Sequence, residues 1–313
     1  MRQPESEPGV READRPLLAA QNALLARYAP ETHIRRVRWS QGEAQVLELG
    51  AGPPLLLVHG GGDNALVWVP IFSALARSHH LVAVDRPGHG LADSFDYRGV
   101  DLMEHAATFL REVLDALDLP RVDVMANSMG ALWSLILAFD QPERVSRLVI
   151  VGAPPGLIRS APLPLRALTI PLLGRAIGRM TMANTTRQAS RKFWGELLVA
   201  HPERLDDLLL DVDVAHTRRN YHDVLHFLAR ALNARGVRRH LVLRERWEAL
   251  LVPTLFLSGE RDPFMTRRRT EAWEALSARN PQVSIVPILD AGHLAWLDDP
   301  DQVVVEIERF LTA

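Results

Sequence analysis

Ten residues, Val122 to Ala131 (VDVMANSMGA), restrict the fold of this chain more than any other stretch. Val122, Val124 and Met125 make an apolar, β-rich run, Ala131 to Phe139 is strongly helical, and only Asn127, Ser128, Met129 and Gly130 stand between them. A strand must therefore pass into a helix with no loop, and a serine occupies the bend. The first N–H groups of a helix lack intrahelical acceptors, and its dipole favours negative charge there. A hydroxyl at that point is well sited to become an alkoxide.

The same rhythm runs on either side. His33 to Trp39 and Glu43 to Leu49 read as strands joined at Gln41-Gly42, a hairpin. Leu55 to Val58 is a short, wholly apolar run that ends in His59-Gly60-Gly61-Gly62, and Leu81 to Val84 is another, ending in Asp85 to Gly90 (DRPGHG). Helical spacing covers Val67 to Arg77 and Leu102 to Leu117, with Pro120 beyond the second, and a further strand follows at Leu148 to Val151. Apolar strands alternating with amphipathic helices imply a mostly parallel sheet of about eight strands with helices on both faces. The rhythm stops at Gly152-Ala153-Pro154-Pro155, and from there to Arg246 the pattern is helical throughout. It resumes with Thr254 to Leu257, a helix from Arg267 to Leu276, a strand from Val283 to Leu289 and a last helix from Gln302 to Leu311. The organisation expected is an N-terminal extension over 1–32, frayed to about residue 15 and then helical from Leu17 to Tyr28; an α/β core over 33–153 and 247–313; and a helical cap, 154–246, inserted after the sixth strand.

Composition narrows the chemistry. With no cysteine, disulfides, thiolate metal sites and thiol nucleophiles are all excluded. Lys192 is the only lysine, so a Schiff-base lysine is excluded elsewhere, and a net charge of −2 gives no footprint for nucleic acid. The polar first residues lack the apolar core of a secretion signal, which points to the cytoplasm. In the cap, Leu157 to Met182 is apolar but too broken by proline and arginine to span a membrane.

Serine is a weak nucleophile unless a base stands within hydrogen-bond reach and a third group orients that base. Leu255 to Gly259 is a buried-strand pattern followed by Glu260-Arg261-Asp262-Pro263, and the next strand leads to Asp290-Ala291-Gly292-His293. Asp262 and His293 thus fall at the C-terminal edge of the sheet, where catalytic groups of open α/β sheets collect. Glu260 and Asp290 are rivals for the carboxylate's place.

With these residues placed, the chain resembles the capped serine hydrolases of the α/β-hydrolase fold. Five motifs agree in order and spacing: HGGG at 59–62, DRPGHG at 85–90, ANSMG at 126–130, GERDPF at 259–264 and GHLAWLDDP at 292–300. The resemblance implies Ser128 as nucleophile, His293 as general base and acid, Asp262 as orienting carboxylate, and an oxyanion hole from the backbone N–H groups of Gly61 and Met129, with Gly62 a near alternative. Glycines suit that turn because the backbone must approach the substrate, with positive φ available if needed. The usual elbow reads G-x-S-x-G, and here its first position is Ala126, the smallest departure possible. Related dehalogenases and epoxide hydrolases carry aspartate at the nucleophile position, so those activities are disfavoured.

Each residue also has a plainer reading. A serine before a helix is commonly an N-cap, and His59 and His89 fit loop-bracing roles. HGGG lacks the lysine and hydroxyl residue of a phosphate loop. His222 and His226 have helical metal spacing with His216 upstream, but no third ligand completes a pattern, so neither metal nor cofactor is expected. Phe193, Trp194, Tyr221 and Phe227 are candidates to line a pocket. The cap carries 16 Arg and Lys against 8 Asp and Glu, a formal +8 that could steer an anionic substrate, while its leucines suit an apolar one. The expected activity is hydrolysis of an ester-like carbonyl through an acyl-enzyme. Carbon–carbon hydrolysis of ring-fission products, cofactor-free perhydrolysis and, in a different class, small-ligand reception are the alternatives.

Overall fold

The computed structural model describes residues 11–153, 156–157, 159 and 161–312. The Pro154-Pro155 break and the first ten residues expected to fray lie outside them.

Among the described residues, eight strands form one sheet in the order β1-β2-β4-β3-β5-β6-β9-β10. They are β1 (His33–Trp39), β2 (Gly42–Leu49), β3 (Pro54–Val58), β4 (His80–Val84), β5 (Val122–Asn127), β6 (Val145–Val151), β9 (Thr254–Gly259) and β10 (Val283–Ile288). Only the β1–β2 and β2–β4 pairings are antiparallel; the others described are parallel. The apolar runs are continuous because both sheet faces are covered. Leu56 and Val58 enter one core and Leu55 and Leu57 the other; Val124 and Ala126 oppose Met125, and Phe256 opposes Leu255 and Leu257.

One core packs α3 (Leu102–Ala116) and α4 (Ser128–Asp140) on the sheet; the other packs α1 (Arg15–Tyr28), α2 (Val69–Leu75), α10 (Ala295–Asp298) and α11 (Pro300–Thr312). The Asp101 side chain accepts from the Met103 N–H at 2.8 Å and starts α3. α4 is apolar all round, and Met129 to Ala138 are all buried. Where the sequence suggests one helix over Val67 to Arg77, a 3-10 turn (Ala65–Trp68) precedes α2, with the Asn64 side chain accepting from the Leu66 N–H. The remaining core helix, α9 (Arg267–Ser277), lies between β9 and β10.

Between β6 and β9 the chain forms α5 (Leu163–Ala167), α6 (Pro171–Ile177), α7 (Arg187–Leu197) and the long α8 (Asp207–Ala231). Two departures from the sequence reading appear. The expected helical run is interrupted after α8 by a small hairpin, β7 (Leu232–Asn233) with β8 (Gly236–Val237). There Asn233 Oδ1 accepts from the Arg235 N–H at 2.8 Å and Gly236 takes φ +108°. The other concerns residues 12–15, expected to be frayed: Glu12–Asp14 is a 3-10 turn leading into α1. Asp14 is held by Arg219 of α8 at 2.7 Å, so the segment before α1 is tied to α8.

Candidate active site

β3 leads into β4 on one side of the sheet, while β5 lies on its other side, so the strand order switches direction at β3. Open α/β sheets bind ligands in the crevice at such a point. Here that crevice is bounded by the glycine turn after β3 and the elbow after β5.

Ser128 takes φ +50°, a left-handed conformation that costs a non-glycine residue about 1–3 kcal/mol. The crowding around it explains which glycine of the elbow is indispensable. A methyl group on Gly130 would stand 2.2 Å from the Val58 carbonyl oxygen and 2.5 Å from that of His59. Ala126, by contrast, sits in the sheet between Val58 and Ile150, where its methyl is accommodated in the core. The preceding Asn127 ties three segments together, its Nδ2 donating to Val151 O at 2.7 Å and to His293 O at 3.3 Å. Gly152 (φ +73°) permits this approach, since a methyl there would lie 2.4 Å from His293 O.

Asp262 and His293 come together as well. His293 Nδ1 donates to Asp262 Oδ2 at 2.8 Å, and both residues are buried. The Asp262 carboxylate also accepts from the N–H groups of Ala153 (3.1 Å) and Phe264 (2.8 Å), which fixes its plane. The Phe264 ring stacks on the imidazole with centroids 4.3 Å apart. His293 Nε2 has no hydrogen-bond partner among the described residues and, like Ser128, lines a common cavity. The rival carboxylates are elsewhere: Asp290 pairs with His201 at 2.8 Å and with Arg261, and Glu260 accepts from the Asp290 N–H.

The turn after β3 is held by its carbonyl oxygens. Buried Arg86 donates to Gly60 O, as does His59 Nδ1 at 2.9 Å; His89 Nε2 lies 3.2 Å from Gly61 O; His216 Nε2 donates to Gly62 O at 3.0 Å. A trans peptide is planar, with N–H and C=O opposed, so anchoring Gly60 O aims the Gly61 N–H the opposite way. None of the three glycines has positive φ; space accounts for two of them, since a methyl on Gly60 would meet Asn127 Oδ1 at 2.6 Å and one on Gly61 would meet Met129 Cγ at 2.9 Å. Gly62 has nothing within 4 Å. Burial, reinforced by Arg86, holds His59 and His89 well below the usual histidine range, and burial brings His216 to about 4. Arg86 itself, packed over Trp133 and Phe227, is lowered by burial to about 10.

The cavity measures about 380 Å³, toward the small end of ligand sites. Leu165, Leu168, Ile177, Phe193, Trp194 and Leu228 form much of its wall. Two aromatic candidates do not line it: Phe227 is packed in the core among Tyr97, Trp133 and His89, and Tyr221 stacks on His222. Among the described residues no arginine or lysine lines it either. Arg187 and Arg191 pair instead with Asp207 and Asp211 on the exposed side of α7 and α8. No group of three potential metal ligands occurs among the described residues. No described helix is long and apolar enough to cross a membrane.

Two cavity residues escaped the sequence reading. Asp63 immediately follows HGGG, a position that could have marked it, whereas Asp213 lies within α8 with no local signal. Burial, added to by the nearby Asp213 charge, raises the Asp63 carboxyl to about 7; burial raises Asp213 to about 6 against hydrogen bonds from Ser190, Trp194 and Thr217.

A serine at a strand-to-helix bend, facing a cavity with a carboxylate-bound histidine on an open α/β sheet, defines the class of α/β hydrolases. Residues 55–307 match the model of the alpha/beta hydrolase family, and the chain belongs to that family and is a hydrolase. It is 28% identical over 280 residues to the pimeloyl-[acyl-carrier protein] methyl ester esterase of Xanthomonas campestris pv. campestris, covering 85% of this chain and 97% of that one. It is 36% identical over 115 residues to the 2-hydroxy-6-oxo-2,4-heptadienoate hydrolase of Pseudomonas putida, covering 36% and 41%. The fold is shared with the carboxylesterase CesB of Bacillus subtilis at TM-score 0.76 and 20% identity, over 96% of this chain and 99% of that one.

Proposed function

We propose that this hydrolase cleaves ester-like carbonyl substrates through an acyl-enzyme formed on Ser128. The observation that carries the reading is the joint placement of Ser128, at φ +50° on the cavity wall, and His293, whose Nδ1 is committed to Asp262 while Nε2 is left without a partner.

Ser128 Oγ attacks the carbonyl carbon as His293 Nε2 takes its proton. Asp262 fixes the imidazole tautomer and stabilises the imidazolium. The oxyanion accepts hydrogen bonds from the N–H groups of Gly61 and Met129; the Met129 N–H, in the first turn of α4, has no intrahelical acceptor. His293 then gives its proton to the departing alkoxide, and water, deprotonated by the same nitrogen, releases the acid and restores Ser128. The cap over 154–246 supplies the apolar roof, and the absence of lining cations argues against an anionic acyl chain. The resemblance to the Pseudomonas putida enzyme favours a second reading, C–C hydrolysis of a dienoate ketone by the same three residues.

Purified protein is expected to hydrolyse p-nitrophenyl butyrate and to be labelled by a fluorophosphonate at Ser128, with both lost in Ser128→Ala. Labelling without ester turnover would favour the C–C reading. A Ser128→Ala protein that keeps full turnover would overturn the assignment.

A further inference from the structure

The cavity contains one polar feature that the hydrolytic chemistry leaves unused. Asp63 is 9% exposed, lines the cavity and has no hydrogen-bond partner among the described residues. Two other buried carboxylates are well supplied with donors: Asp85 accepts from the N–H groups of Ala65 and Leu91, and Asp298 from those of Ala200, His201 and Gly292. An unpaired buried carboxylate is costly, so a site that retains one is complete only when something fills it.

A second carboxylate faces the same space. Asp213 reaches the cavity from α8, and Ser190, Trp194 and Thr217 hold it by hydrogen bonds. The charged or titratable groups that act on Asp63 are Asp213, His293 and the buried Arg86. Of these Arg86 is absent from the lining, so among the described residues the side chains on the cavity surface include two carboxylates and no permanent cation. Asp63 also stands close to the reacting centre. A methyl group on Gly60 would be 2.9 Å from Asp63 Oδ2 and 3.6 Å from Ser128 Cβ. The carboxyl oxygen therefore lies no farther from the nucleophile's carbon than those two distances laid end to end.

We propose that Asp63 and Asp213 form an ammonium-binding subsite within the reaction cavity, so that the substrate is a carbonyl compound bearing a protonated amine a few bonds from the scissile carbonyl. This rests on the assignment of Ser128 as nucleophile. A cation supplies the charge the pair lacks, and its N–H groups reach the free oxygens of Asp63 without disturbing those that hold Asp213. The surrounding leucines take up the carbon chain. Bringing the two carboxyls down from about 7 and about 6 is the linkage through which such a cation binds. Binding must therefore strengthen as pH rises through that range.

Isothermal titration calorimetry of the full chain with hexylammonium, 1-hexanol and hexanoate tests this without relying on turnover. Hexylammonium is expected to bind about tenfold or more tightly than hexanol at about pH 8, and hexanoate more weakly than either. The preference should shrink toward about pH 5, as both carboxyls protonate. Asp213→Asn and Asp63→Asn should each reduce it about fivefold or more, with far-UV circular dichroism and fluorophosphonate labelling of Ser128 confirming the fold and the nucleophile. Equal affinity for hexanol and hexylammonium, or a preference that survives in both variants, would overturn the subsite. If Ser128 is labelled normally in that case, the hydrolytic reading stands; ammonium binding without labelling would instead remove the nucleophile assignment.

Discussion

Replacing Asp63 by asparagine separates the cost of this carboxyl from its use. In the folded chain burial and the Asp213 charge raise its pKa from 3.8 to about 7. The unfolded chain releases its proton near the ordinary value, so between pH 4 and 7 the folded form holds the proton more tightly. The stability contributed by that retained proton is complete below the unfolded pKa and is lost as pH rises through the folded one. A displacement of about three pH units, at about 1.4 kcal/mol each, sets a ceiling of about 4 kcal/mol on the destabilisation above pH 7. Asparagine has nearly the same shape and never ionises. Asp63→Asn should therefore stabilise the ligand-free protein by about 2–4 kcal/mol at about pH 8 and by little at about pH 4.5. Urea unfolding of both proteins at several pH values reads the difference directly. A gain that is flat with pH, or a variant less stable than wild type at pH 8, would refute the account of Asp63 as an uncompensated carboxyl.

Asp262→Asn should leave the fold intact by circular dichroism and lower kcat for p-nitrophenyl butyrate by about 10³-fold or more, because the imidazole loses its orienting charge. Near-wild-type turnover would place the acid elsewhere. Gly130→Ala forces a methyl to 2.2 Å from Val58 O and should cost about 3 kcal/mol or abolish folding, whereas Gly62→Ala, with open space at that position, should change stability by less than about 0.5 kcal/mol. Thermal unfolding of the two variants side by side checks the contrast.

The placement of Ser128, Asp262 and His293 was legible because each stands where a short apolar strand ends, and strand ends are marked by local sequence. His59 and His89 were likewise readable as braces from their turns. Ala126 already reads from the sequence as a tolerable departure, but the physical reason that Gly130 is essential, its approach to the carbonyl oxygens of Val58 and His59, needed the distance between α4 and the end of β3. In the turn at 60–62, Gly60 and Gly61 are there for space and none of the three glycines for positive φ, a distinction that no spacing rule carries. The +8 of residues 154–246 suggested steering of an anion, yet among the described residues no arginine or lysine lines the cavity, and Arg187 and Arg191 pair with Asp207 and Asp211.

By itself, the sequence determined the alternation of strands and helices, the elbow at Val122 to Ala131 and the order of its chemical groups. These depend on periodicity and on residues adjacent in the chain. Only the tertiary structure decided the lining of the cavity, since Asp63, just after β3, and Asp213, on α8, are 150 residues apart in the chain and reach one cavity only when the chain folds. That folding leaves two acids on the wall of the cavity that Ser128 also lines, and the elbow encodes neither.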